Sequence, residues 1–214
     1  MESQTRGGTR WRRFAVVMVP SVAATAAIGV AVAQGALAAS FSVSGQQFQV
    51  TAGKLHGSGF VQYGAMDQTK AGGKPVAVVG IDEAQITKLC QAVTIPIPLT
   101  DKKVSMKLEA GGGDKQVTAS KLYIDAEDMK ANATFKNVDI GVSVDNTTKG
   151  PGPAGAGKNG EGAHVPGSFA QQADEVWFDS VDQKAWATSA GTFTLPGLHM
   201  GVNMGEAQCD VPKG

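Results

Sequence analysis

Apolar and polar residues alternate over several stretches of this chain. Val138, Ile140, Val142 and Val144 are separated by polar or small residues, and so are Leu198, Met200, Val202 and Met204. A period of two puts one set of side chains on one face of a strand. The same pattern predicts strands at 41–43, 47–51, 76–80, 104–108 and 192–195. Val93, Ile95, Ile97 and Leu99 alternate with Thr94, Pro96, Pro98 and Thr100. Two prolines on one side remove two ladder donors, so this strand must lie at an edge or pair on one side only. No stretch sustains a helical period with capping residues. The short helix candidate is DEAQITKLCQAV, residues 82–93, with Ile86, Leu89 and Val93 in phase. One apolar face per strand predicts an all-β fold, either an antiparallel sandwich or an open barrel or curved sheet.

The strands recur. QVTAGKL (49–55) and QVTASKL (116–122) differ at one position. A longer match places ASKLYIDAEDMKANAT (119–134) over ADEVWFDSVDQKAWAT (173–188), at an offset of 54. Asp125, Asp128 and Lys130 then coincide with Asp179, Asp182 and Lys184, and Tyr123 coincides with Trp177. This pattern predicts an internally repeated β-turn-β unit, with Tyr123 and Trp177 at equivalent core positions. Between the matched units, NTTKGPGPAGAGKNGEGAHVPG (146–167) is rich in Gly and Pro. It reads as a mobile surface loop, either a solvated connector or a lid.

Charge changes the picture at the N-terminus. All four arginines lie within the first thirteen residues, and the chain after Ala38 holds 15 Lys against 18 Asp and Glu. Arg dominates phosphate grip and base readout, so its absence from the body of the chain argues against a nucleic-acid partner. The basic start, the apolar run from Phe14 and Ala36-Leu37-Ala38 have the form of a secretory signal over 1–38, followed by one β-rich domain over 39–214. The apolar run is also long enough to act as an uncleaved membrane anchor. Either reading places the protein outside the cytoplasm, secreted or in the cell envelope. Cys90 and Cys209 are the only cysteines, and in an exported chain they are expected to pair.

Chemistry is sparse. No Gly-x-Ser-x-Gly elbow occurs. HGSG (56–59) sets Ser58 between glycines beside His56, giving a weak nucleophile and base, or simply a tight turn between strands. His199 is a second candidate base and Asp179 a distant acid. The histidines lack zinc-site spacing, so no metal or other cofactor is expected. Asp125, Asp128, Asp179 and Asp182 are oxygen donors of the kind calcium takes, and equally standard turn residues. Met66, Met106, Met129, Met200 and Met204 lie in or beside strands. Adaptable thioethers suit ordinary cores and also pockets for lipid or sterol ligands.

ITKLCQAVTIPIP, ANATFKNVDIG, FAQQADEVWF and KAWATSAGTFTLPGL resemble a family of small exported proteins of Streptomyces and relatives, over nearly the whole chain. Its members are often labelled cholesterol esterase, while the domain itself is treated as of unknown function. The resemblance implies an actinobacterial envelope or secreted protein and offers a sterol-ester hydrolase label, with no catalytic residues to carry over. Three readings follow: a non-catalytic β protein that binds a hydrophobic ligand or serves the envelope, a sterol-ester hydrolase, and a self-assembling surface protein. The sequence leaves the oligomeric state open.

Overall fold

A computed structural model describes residues 46–69, 72–153 and 163–212. The predicted leader and the strand at 41–43 lie outside the described residues. In chain order the strands are β1 (Phe48–Thr69), β2 (Gly72–Thr87), β3 (Leu89–Pro96), β4 (Lys103–Ala110), β5 (Val117–Lys136), β6 (Asp139–Ser143), β7 (Ala163–His164), β8 (Phe169–Ser189), β9 (Thr192–Thr194) and β10 (His199–Met204). A 3-10 turn, Val144–Asn146, follows β6. No helix among the described residues is long and apolar enough to cross a membrane.

All ten strands join one antiparallel sheet. Four are long. β1 pairs with β2 and β8, and β5 pairs with the same two, so the pairings of the long strands close into a ring. The short strands extend it. β3, β4 and β10 form a flap beyond the start of β1, and β6 borders β8. This is the expected all-β, strongly curved antiparallel architecture.

The strands are longer than their alternation suggested because the alternation changes phase inside them. Lys121, Ser180 and Gly59 have φ of 49°, 52° and 65°. A left-handed residue turns the next side chain to the opposite face. In β5 the buried set passes from Val117 and Ala119 to Leu122, Ile124 and Ala126 across Lys121. In β8 it passes from Val176 and Phe178 to Val181 and Ala185 across Ser180. Lys88, with φ of 49°, does the same between β2 and β3. This accounts for the helix expected at 82–93, which is absent: the residues belong to β2 and β3. Ile86 and Leu89 are both buried at a spacing of three because Lys88 flips the phase between them, which imitates a helical period.

The repeat is also corrected. Residues 119–134 lie within β5 and 173–188 within β8, each inside one continuous strand with no turn. The two copies pair with each other, Asp128 opposite Lys184 and Lys130 opposite Asp182. Because Asp128 corresponds to Asp182 and Lys130 to Lys184, this reciprocal pairing makes the repeat a local pseudo-two-fold. The aspartates assigned to turns therefore sit in strands. The proline strand is met in its first half, where Thr94, Ile95 and Pro96 pair with β4 alone, whereas residues 97–100, expected to continue it, form the turn to β4.

Two buried clusters stabilise the sheet from opposite faces. The larger includes Leu55, Phe60, Ile81, Leu122, Val176 and Phe178. The smaller gathers Val61, Tyr63, Val76, Val78, Val144 and Ala170. Phe60 and Val61 are adjacent yet enter different clusters, so the middle of β1 is covered on both sides. The cover over Val61 comes from the Gly/Pro segment. Its described part is tied down: Tyr123 donates to Pro151 O at 3.1 Å, and Thr148 N–H donates to Gln172 Oε1 at 2.7 Å. Gly150 approaches so closely that a Cβ there would lie 2.9 Å from the Phe60 carbonyl carbon. At the other end Cys90 and Cys209 form a disulfide with Cα atoms 5.8 Å apart. It clamps the C-terminal tail onto β3.

Candidate functional site

The larger cluster is incompletely filled. A cavity runs through it, walled by Val50 and Leu55 of β1, Val79 and Ile81 of β2, Leu122 and Ile124 of β5, and Phe178 and Val181 of β8. Each long strand of the ring contributes, because each turns its post-kink or pre-kink apolar set inward. About 40 Å³ is open to the centre of a water-sized sphere, more than one water needs but with apolar walls. Polar atoms enter from Gln91, Gln183 and Thr188, and movable bulk from Met129 and Phe193. The buried Thr188 hydroxyl finds no hydrogen-bond partner among the described residues. Of the methionines, Met129 is the one that lines this space. The cavity is narrower than ligand pockets of about 300–1,000 Å³, with room for little more than the end of an apolar chain unless Met129 and Phe193 move.

The second cluster of interest is acidic and was not legible beforehand. Asp67 continues the inward alternation of Val61, Tyr63 and Ala65 and is 2 % exposed. Asp125, beside Tyr123 on β5, shares a hydrogen bond with it. Burial first, and then the charge of Asp67, pushes the Asp125 carboxyl up to about 7. Two close carboxyls cannot both ionise cheaply, so the pair shares a proton near neutral pH. The available signal was an aspartate at the phase of an apolar run.

Three of the four candidate catalytic residues share an exposed face. Lys54, His56 and Ser58 of β1 lie opposite Asp179, Trp177 and Glu175 of β8. HGSG is therefore mid-strand and makes no turn. His56 stacks on Trp177, with ring centroids 4.9 Å apart, and its Nε2 lies 3.2 Å from Glu175 Oε2. Glu175 also accepts from Lys136. No hydrogen bond joins Ser58 to His56 among the described residues. Asp179 faces Lys54 at 3.9 Å. His199 is elsewhere, on β10, 3.9 Å from Glu109. Trp177 thus leaves the core position expected for it, whereas Tyr123 packs on the smaller cluster. The calcium candidates separate as well: Asp182 accepts from Gln49 at 3.0 Å, and Asp128 lies 3.9 Å from Lys130. No group of three or more metal-ligating side chains occurs among the described residues.

A family model described as "Family of unknown function (DUF6230)" matches residues 44–210. No curated protein and no solved structure matches the chain.

Proposed function

The chain belongs to this family of unknown function, DUF6230, and from that premise we propose that it is an exported, non-catalytic β protein that holds an apolar chain, such as the acyl or sterol part of a lipid, in the cavity of its curved sheet. The observation that carries the reading is the cavity itself, which has apolar walls from all four long strands, polar atoms from Gln91, Gln183 and Thr188, and Met129 and Phe193 as movable side chains. The disulfide is compatible with an oxidising, extracytoplasmic compartment. The sterol-ester label of the resembling proteins names a ligand of the same chemical class.

The test is displacement of a fluorescent fatty acid, together with mass spectrometry of lipid extracted from the purified protein. Ala52 lines the cavity and is 3 % exposed, so Ala52→Leu places new bulk inside it. With a chain in the cavity the added bulk overpacks it, at ~1–3 kcal/mol, so the variant is expected to bind about tenfold more weakly while retaining its β signature in circular dichroism. Equal affinity in wild type and variant, or no bound lipid and no displacement in the wild type, overturns the reading.

A further inference from the structure

The flap has two unlike faces. On one, Cys209 of the C-terminal tail packs with Cys90 and Ala92, and the disulfide holds it there. The other face is bare and apolar. Register aligns Met200 with Leu108 and Gln91, Val202 with Met106 and Val93, and Met204 with Val104 and Ile95. Of these nine side chains only Gln91 is polar. Met200, Val202 and Met204 are 59 %, 67 % and 66 % exposed. The rows continue inward, since Val50 pairs with Gln91 on one side and Gln183 on the other. All three of these residues line the cavity. The bare face is thus continuous with the cavity wall.

The tip of the flap makes the surface more specific. Leu99, in the turn between β3 and β4, is fully exposed and has a φ of 65°. A leucine in the left-handed region is strained by the contact of its Cβ with the backbone, and here no burial offsets that strain. Ile95 stands behind it, 44 % exposed. Lys102 and Lys103 follow, with Asp101 beside them and Glu206 accepting from Lys103.

We propose that the β3–β4–β10 flap docks on a lipid bilayer, with Leu99 leading and the Met/Val/Ile face lying against the acyl region, and that the continuous apolar face is the path by which a lipid chain reaches the cavity. Area argues against a second copy as the occupant. Three strands about 4.8 Å apart and some six residues long offer roughly 200–300 Å², against about 800 Å² per partner in a stable dimer. A bilayer needs no matching surface, and the lysines behind the tip sit where lipid phosphates would lie.

The path to the cavity rests on the proposed function, whereas docking does not. The test uses the full chain with Leu99→Trp and vesicles of phosphatidylcholine and phosphatidylglycerol carrying brominated acyl chains. The added indole reports the flap alone, whatever the N-terminal segment does in the membrane. Its emission, taken as the difference from the parent chain, is expected to shift to the blue and be quenched by bromine. Adding Val202→Asp and Met204→Asp is expected to weaken the vesicle affinity read by that quenching roughly tenfold or more, because two apolar side chains of the docking face become charged. An added emission that stays solvated and unquenched while the chain sediments with vesicles overturns docking. Protection from solvent that grows with protein concentration and needs no lipid overturns it in favour of self-association. Failure of fatty-acid displacement with intact quenching would remove the path and leave the docking surface.

Discussion

Replacing Asp125 with asparagine perturbs one proton in a buried acidic pair. In the folded protein this carboxyl titrates at about 7, raised from 3.8 by burial and by Asp67. The sign follows from proton linkage. Between these values the folded state keeps a proton that the unfolded chain has lost, so stability falls as pH rises from about 4 to 7. Roughly three units at 1.36 kcal/mol each bound the loss at about 4 kcal/mol. The amide that replaces the acid stays neutral throughout, so Asp125→Asn should match the parent within about 1 kcal/mol near pH 4 and exceed it by a few kcal/mol above pH 7. With a urea m-value of about 1–3 kcal/mol/M, the midpoint should differ by about 1–2 M at pH 8. Urea titrations followed by circular dichroism at half-unit steps from pH 4 to 8.5 measure this directly. Taking the difference between the two proteins removes every contribution they share. Parallel stability profiles for parent and variant would refute the shared-proton pair, as would a difference that shrinks with rising pH.

Opening the disulfide with Cys90→Ser and Cys209→Ser frees a loop of 119 residues; the expected loss is about 5 kcal/mol in the chain-entropy account, read as a lower denaturant midpoint with faster amide exchange at Ala92. Gly150 and Gly152 have nearly equal φ, 77° and 76°, but a Cβ at Gly150 meets the Phe60 and Val61 backbone whereas one at Gly152 meets nothing within 4 Å. Gly152→Ala should therefore cost only the backbone strain of ~1–2 kcal/mol, with Gly150→Ala clearly more destabilising; equal thermal midpoints for the two would count against the packing of this segment over β1. Ala52→Leu and Leu99→Trp complete the set, read by fatty-acid displacement and by bromine quenching.

Some of the site was readable from residues alone and some was not. The pairing of Cys90 with Cys209 followed from count and compartment, and the structure has it. The one-sided pairing of Thr94–Pro96 followed from the missing proline donors. Met129 was legible as an adaptable side chain, although nothing local distinguished it from Met200, which lies on the bare face of the flap. The carboxyl pair was harder, because Asp67 and Asp125 lie 58 positions apart and meet only through the curvature of the sheet. HGSG looked like a turn because two glycines flank a polar residue; in the fold Gly59 is instead the phase change after which Phe60 takes over the inward face from Leu55 and Gly57.

By itself the sequence determined that this chain is built of strands with apolar faces, that its cysteines pair and that its strand order cannot include the proline segment at a two-sided position. These are local consequences of side-chain period and of missing or matching groups. The tertiary structure alone decided the length of the strands, their closure into a ring, the cavity within it and the bare face of the flap. The reason is that left-handed residues at Lys88, Lys121 and Ser180 reset the alternation. Which face is then buried depends on partners as distant as β1 and β8, and no local period can report that.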